Sequence, residues 1–232
     1  RVKAKGVKMV LNRRVRREDL FREGFDEVVV ATGIVPRKPR IDGIDHPKVI
    51  SYLDLLLGRV VAGQRVAIIG AGGIGFDVGE FLLHDPAVPR PVAVPHWCAE
   101  WGVDLNASAN GGIVEPAVAQ PYRQLYLLQR KTSKLGAGLG KTSGWVHRAV
   151  LQRNGVEMLA GVEYRKVDDA GLHITVNGVE RVLEVDHVVL CAGQEPLAEL
   201  MPPSGQKSVE GAPQFHCIGG AALASELDAK RA

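Results

Sequence analysis

The chain has 232 residues with a formal net charge of +3; 46 % of them are apolar and 24 % charged. These proportions exclude a collagen-like fibre, a disordered chain and a disulfide scaffold, and no run of 18 apolar residues is present to span a membrane as a helix. Three scattered cysteines, Cys98, Cys191 and Cys217, form no CxxC, which removes a zinc ribbon, a thioredoxin-like pair and a cysteine-held iron–sulfur cluster and makes the cytoplasm the expected setting.

The first 17 residues hold eight Lys and Arg and no acid. No aromatic residue interleaves with them, so a nucleic-acid partner is not expected. The segment reads instead as the solvated face of a strand and turn, with Val7, Met9 and Leu11 alternating inward. Phe25 to Gly33, FDEVVVATG, is a short apolar run between charge and glycine, which predicts a buried parallel strand. Val49 to Leu57 predicts a short helix with Leu53, Leu56 and Leu57 on one face, more suited to core than to a partner groove. Gln64 to Gly70, QRVAIIG, is the next buried strand. Ile74 to Leu83 predicts a helix that buries Phe76, Val78 and Leu82.

Residues 84–121 interrupt this pattern with six prolines, Trp97, Trp101 and the pair Gly111–Gly112. A stretch this long without periodicity marks an insertion or a functional loop. Gln124 to Leu128 is a strand, 131–144 a glycine- and lysine-bearing loop, and Trp145 to Arg153 a helix stopped at Asn154–Gly155. Val156 to Leu159 is a strand. Three further strands over 161–167, 171–177 and 180–185 form an antiparallel meander with a turn at Asn177–Gly178. Val188 to Ala192 and His216 to Gly219 are the last two strands. Residues 221–232 read as a helix with no stop signal, and the chain opens on Arg1, so it is expected to be a fragment of a longer protein. Strands alternating with helices predict an α/β fold with a mainly parallel sheet.

Gly70, Gly72 and Gly75 form G-x-G-x-x-G between a predicted strand and a predicted helix, the context that gives this motif its meaning. Gly70 permits the tight turn, Gly72 lets the backbone approach a pyrophosphate, and Gly75 lets helix and strand pack closely. The helix start then offers unpaired N–H groups and the positive dipole end to phosphate. In an NAD site the second strand ends in Asp or Glu, which binds the ribose 2′-hydroxyl. Here that strand is followed by Gln129, Arg130 and Lys131. Two cations and no acid point to the 2′-phosphate of NADPH. Charge-assisted hydrogen bonds are worth about 1.5–3 kcal/mol each, so one or two favour NADPH by about ten- to a few-hundredfold.

Other motifs fall short. LGAGLGKT (135–142) nearly matches a phosphate-binding P-loop, but Leu135 stands where glycine is required. No Tyr-x-x-x-Lys pair, HExxH or G-x-S-x-G occurs, so short-chain dehydrogenase, zinc and serine-hydrolase chemistry have no support.

The order of motifs adds a family resemblance. Ala31-Thr32-Gly33 closes a strand before the fingerprint, Ala192–Gly193 closes one after it, and Ile218-Gly219-Gly220 follows near the end. In this the chain resembles the two-dinucleotide-binding flavoprotein reductases, in which a Rossmann-like NAD(P)H domain is inserted into a split FAD domain. More narrowly, IGAGGIGFDVGEFL (69–82), WCAEWGVD (97–104), LLQRKTSKLGAGLGKTSGWVHR (127–148), VVLCAGQEP (188–196) and IGGAALASELDAKRA (218–232) look like the C-terminal half of bacterial NADPH-dependent 2,4-dienoyl-CoA reductases, and the likeness covers nearly the whole chain.

That resemblance implies a partial FAD-binding segment over 1–62, an NADPH-binding domain over 63–193 with its insertion over 84–121, and a returning FAD segment over 194–232. It implies NADPH pyrophosphate at Gly70, Gly72, Gly73 and Gly75, and the 2′-phosphate at Arg130 and Lys131. Nicotinamide should lie near Cys191, Ala192 and Gly193, and FAD along Thr32, Gly33, Gly219 and Gly220. The family carries a Gly-Asp pair before its last helix, where this chain has Gly219–Gly220. The resemblance further implies an electron chain in which NADPH reduces FAD and electrons pass by an iron–sulfur cluster to FMN in an N-terminal (β/α)₈ barrel, which reduces a dienoyl-CoA in fatty-acid β-oxidation. The barrel, FMN site, cluster cysteines and first FAD glycine finger are not in this sequence. The barrel is the implied partner, and the isolated chain is expected to be nearly inactive. Another barrel–flavoprotein fusion, of the enone-reductase or amine-dehydrogenase kind, is the alternative. Hydride transfer to flavin needs positioning rather than a nucleophile, so no catalytic acid, base or metal ligand is expected. Cys191 reads as inert packing. Trp97 and Trp101 suit either an apolar anchor for the barrel or a cover for the domain's own sheet.

Overall fold

The computed structural model describes residues 1–88, 93–117, 120–203 and 211–225. Its described parts form two compact units, one of Arg1–Val35 with the return from Gln194, the other of Pro36–Gly193. The chain passes from the first unit to the second at Pro36, whereas the sequence reading sets that division at residue 63, and it returns at Gln194. Residues 36–62, expected with the FAD segment, pack with the nucleotide unit. The reason is long-range pairing: β3 (Val49–Ser51) is the edge strand of that unit's sheet, bonded to β10 (His187–Leu190).

In the first unit α1 (Arg17–Arg22) leads to β1 (Glu27–Val30), which runs parallel to β12 (Gln214–Cys217). Val28, Val30 and Ala221 are buried there with Leu20, Leu200, Phe215 and Cys217 around them. A second pair joins β2 (Ile34–Pro36) to β11 (Gln194–Pro196). The alternation at the start does not make a strand. Val7, Met9 and Leu11 are 54, 40 and 73 % exposed, because no neighbouring strand pairs with the segment among the described residues. Its arginines bond within the first unit instead: Arg13 pairs with Glu23, and the Arg17 guanidinium donates to the Glu199 carbonyl, far along the chain, at 2.6 Å. The helix expected from residue 221 is not seen through 225, where a single 3-10 turn, Gly219–Ala221, is present. Its remainder, 226–232, lies outside the described residues.

The second unit is built on a five-stranded parallel sheet of order β3-β10-β4-β5-β6, with β4 at Arg65–Ile69, β5 at Gln124–Leu128 and β6 at Glu157–Leu159. Strand alternation divides two cores. Val66, Ile68, Leu125, Leu127 and Val189 face α3 (Gly73–Leu83) and α5 (Gly144–Arg153), with Phe76, Val78, Leu82 and Leu151 wholly buried. Ala67, Ile69, Tyr126, Leu128 and Val188 face the antiparallel meander of β7 (Val162–Asp168), β8 (Gly171–Val176) and β9 (Val179–Leu183). Period-two burial on both faces is what a sheet covered on both sides requires. The hairpin turn between β8 and β9 has Asn177 and Gly178 at φ +51° and +78°, as its Asn-Gly pair predicts.

Two expectations change. Val49 to Leu57 is not one helix: a strand turns at Ser51 into α2 (Tyr52–Leu56), whose first turn is capped by the Ser51 hydroxyl accepting from the Leu53 N–H at 3.1 Å. The insertion is not irregular throughout: it holds α4 (Val94–Trp101), started by Pro95 and ended at Gly102 with φ +69°. The Asp104 carboxylate then ties its loop by accepting from the Ser108 hydroxyl and from backbone N–H groups of residues 106, 108 and 109. The ring centroids of Trp97 and Trp101 are 6.0 Å apart. Trp101 lies under the Arg153 guanidinium at 5.0 Å, whereas Trp97 is 49 % exposed.

The start of β4 is held by Asp186, just before β10. Its carboxylate accepts from the N–H groups of Gln64 and Arg65, each at 2.9 Å, and from the Arg65 guanidinium at 3.0 Å. The Arg65 N–H, then the guanidinium, holds this carboxyl below the usual carboxylate range. A lowered folded-state value stabilises in full above the unfolded value of about 4, and the stabilisation is lost as pH falls through the folded one. Asp186→Asn should therefore cost about 1 kcal/mol at pH 7. Urea unfolding as a function of pH should show the difference shrinking below about pH 4; a difference that grows on acidification contradicts the assignment.

Candidate functional site: the carboxyl ends of the parallel strands

Register brings the predicted residues to one edge of the sheet. Leu190 pairs with Ile69, and Ile69 with Leu128. The next residue after each, Cys191, Gly70 and Gln129, therefore leaves the sheet at the same level. From β4 the order runs to β10 on one side and to β5 and β6 on the other. A reversal of this kind opens a crevice at the carboxyl ends of the strands, where α/β sheets bind ligands.

The glycines of the fingerprint are not equivalent. Gly70 has φ +115°, and a Cβ there would lie 2.2 Å from the Cys191 carbonyl oxygen. A Cβ on Gly75 would lie 1.8 Å from the Gly70 carbonyl oxygen. Both glycines are required by backbone that comes too close for a side chain. Gly72, the N-cap of α3, and Gly73, its first residue, face open space: an added Cβ meets nothing within 4 Å. The start of α3 is thus a cradle free of side chains, with backbone N–H groups unsatisfied by the helix itself. That shape fits a pyrophosphate.

Beyond β5, Arg130 and Lys131 are exposed, and neither side chain forms a hydrogen bond or ion pair among the described residues. The following loop packs back on α3: Leu135 is buried, and a Cβ on Gly136 would lie 2.8 Å from the Phe76 ring. The buried Tyr164 hydroxyl has no hydrogen-bond partner among the described residues, and Arg130 is the charge acting on it.

On the other side, Cys191 is buried, and burial pushes its thiol up to about 12. Such a thiol is not a nucleophile at neutral pH, in line with a packing role. Arg37 is a residue that sequence reasoning did not single out. Its N–H donates to the Gly193 carbonyl at 3.0 Å, and its guanidinium donates to the Ala192 carbonyl. It also lies across Gly193, whose added Cβ would be 3.3 Å from the Arg37 Nη2.

In the first unit the predicted flavin residues also meet. Gly33 has φ +78° and its carbonyl accepts from the Leu197 N–H at 3.0 Å, while the Thr32 hydroxyl donates to the Leu197 carbonyl. An added Cβ on Gly220 would lie 2.9 Å from the Ile34 side chain and 3.3 Å from the Gly33 carbonyl carbon, and Gly219 has φ +59°. No group of His, Cys, Asp and Glu suited to a metal ion is found among the described residues, nor any helix long and apolar enough to cross a membrane.

Comparison with known proteins agrees with this architecture. The profile described as pyridine nucleotide-disulphide oxidoreductase matches residues 1–212. The chain belongs to this family. The pyridine nucleotide-disulphide oxidoreductases bind FAD and NAD(P)H, so the α/β fold and both cofactor classes expected from the sequence hold. A metal reductase of Desulforamulus reducens is 28 % identical over 186 residues, 76 % of this chain and 25 % of that protein. A cinnamate reductase of Clostridium sporogenes is 26 % identical over 188 residues, 81 % of this chain and 23 % of that protein. Among solved structures, a 2-naphthoyl-CoA reductase in complex with 2-naphthoyl-CoA superposes with a TM-score of 0.70 at 22 % identity, covering 97 % of this chain and 28 % of that one. The chain thus spans about a quarter of the length of these relatives.

Proposed function

We propose that this chain is the NADPH-accepting part of a longer flavin-dependent reductase and delivers hydride from NADPH to FAD. The observation that carries the reading is the pair of features at one sheet edge: an open glycine cradle at the start of α3, and two unpaired cations without an acid just past β5. Gly72, Gly73 and the first N–H groups of α3 would hold the pyrophosphate, and Arg130 and Lys131 the 2′-phosphate. Arg37 fixes the Ala192–Gly193 turn, the place where the nicotinamide would rest. NADPH supplies the hydride and FAD accepts it; the chain contributes binding and alignment. Thr32, Gly33, Gly219 and Gly220 would line the flavin, with no acid at position 220.

The finer reading is a reductase of an unsaturated acyl-CoA, of the 2,4-dienoyl-CoA reductase kind, whose substrate site lies in a barrel outside this sequence. The motif likeness, the length of the relatives and the fold shared with an acyl-CoA reductase support it. A barrel–flavoprotein fusion acting on an amine or another enone is the second reading, favoured by the fold shared with 6-hydroxypseudooxynicotine amine oxidase of Pseudomonas geniculata (TM-score 0.68, 19 % identity, covering 95 % of this chain and 29 % of that one). The exposed Trp97 is the proposed anchor for such a further domain.

Calorimetric titration with NADPH and with NADH tests the core of the proposal. NADPH should bind at least about tenfold more tightly, and Arg130→Ala with Lys131→Ala should abolish that preference while leaving NADH unchanged. Equal affinities in the unmutated chain discard the 2′-phosphate assignment, and failure to bind either nucleotide discards the proposal.

A further inference from the structure

We propose that Gln129 is a positioning residue for nucleotide choice: its side-chain amide moulds the Arg130–Lys131 turn into the shape that receives a 2′-phosphate. The inference rests on the NADPH reading above and adds to it a residue that touches no phosphate.

Gln129 is the first residue past β5, where a Rossmann unit that prefers NAD carries an acid. Here the side chain turns back on its own loop. The amide Nε2 donates to the Lys131 carbonyl at 3.0 Å and also to the Ser133 carbonyl. Both amide hydrogens are therefore used. The residue is itself pinned: its N–H donates to the Leu159 carbonyl at 3.0 Å, and its carbonyl accepts from the Val162 N–H at 2.9 Å. The Lys131 carbonyl takes a second bond, from the Gly161 N–H at 3.0 Å. Residues 130–134 belong to no helix or strand, and their exposed cations form no side-chain hydrogen bond or ion pair among the described residues. The direction in which Arg130 and Lys131 leave the turn is then set by the backbone, which this amide holds at two carbonyls and the Gly161 N–H at one of them. A turn already shaped loses less freedom on binding, and affinity rises accordingly.

The amide also explains why the acid is absent. A carboxylate at 129 has no hydrogen for either carbonyl and would face two oxygens. It would have to swing outward, freeing the turn and placing a negative charge beside the phosphate.

The test compares NADPH and NADH binding by calorimetry in the unmutated chain and in Gln129→Met, Gln129→Glu and Arg130→Ala, with thermal unfolding followed in parallel. Met keeps the length and lacks the donors, so Gln129→Met should weaken NADPH about five- to tenfold and leave NADH within about twofold. Gln129→Glu should weaken NADPH further and equalise or reverse the preference. A merely structural residue would weaken both nucleotides alike, and that result, or no change in either, overturns the proposal. Arg130→Ala separates the two levels. If it leaves the preference intact, the 2′-phosphate reading falls and this inference with it. If it removes the preference while Gln129→Met does not, only the role of Gln129 falls.

Discussion

Gly75→Ala should destabilise the chain by about 3 kcal/mol or more, lowering the unfolding midpoint by roughly 10 °C. The added methyl would lie 1.8 Å from the Gly70 carbonyl oxygen and 2.9 Å from its carbon. Those atoms are backbone, in the turn that closes β4, and cannot rotate aside as a flexible side chain would. Moving them shifts Gly70, which is itself against the Cys191 carbonyl. The whole junction of β4, α3 and β10 has to open. Gly72→Ala is the counterpart, because its methyl meets nothing within 4 Å and its φ of −85° suits alanine. Its cost in stability should stay within about 1 kcal/mol, yet the methyl stands where a pyrophosphate must come close, so NADPH affinity should fall about tenfold or more. Thermal unfolding and calorimetry on the two variants measure this division directly. Equal losses of stability in both, or unchanged binding in Gly72→Ala, would contradict it.

The same glycines show what could be read from the sequence. A fingerprint fixes a strand, a turn and a helix together, because each glycine answers a steric demand that recurs wherever this turn is built. Buried parallel strands such as 64–70 and 124–128 announce themselves as unbroken apolar runs between charged or glycine-bearing ends. Val49 to Leu57 failed for the opposite reason. Three residues of strand and five of helix share one apolar run, and the strand exists only because β10, far along the chain, pairs with it. The domain crossing at Pro36 is invisible on the same account. At the N-terminus, period-two alternation was present without a neighbouring strand, and alternation alone does not bury anything. The start and stop of α4, Pro95 and Gly102, stood in the sequence but were masked by the prolines around them. In the candidate site, the residue types at 130 and 131 were legible, while the register that levels Gln129, just before them, with Gly70 and Cys191 was not. Nothing in the sequence marks the bonds of Gln129 and Arg37, since an amide or guanidinium bonded to backbone carbonyls has no pattern of its own.

Arg123→Ala should cost about 2–4 kcal/mol without altering the preference between NADPH and NADH. Arg123, just before β5, is only 8 % exposed, and no carboxylate bonds to it among the described residues. Its guanidinium donates to three backbone carbonyls: Gly63 at 2.9 Å, Leu82 at 3.0 Å and Ala62 at 3.4 Å. It lies 4.6 Å from the centroid of the Tyr122 ring. One side chain thus binds the approach to β4, the end of α3 and the start of β5. Burial lowers its pKa, but a guanidinium stays charged across the working pH range, and the carbonyls accept what a carboxylate otherwise would. Truncation leaves those three carbonyls without this donor and a void between the elements. Arg123→Lys should recover part of the loss, since an ammonium keeps the charge and three donors but not the planar fork. Urea unfolding gives the cost, and nucleotide titration should give an unchanged NADPH:NADH ratio. The separation is topological. Arg123 and Asp186 work at the amino ends of the parallel strands, whereas Gly72, Gln129, Arg130 and Gly193 gather at the carboxyl ends. A fall in nucleotide selectivity from Arg123→Ala would mean that the two edges are not independent, and that the turn past β5 depends on how β5 begins.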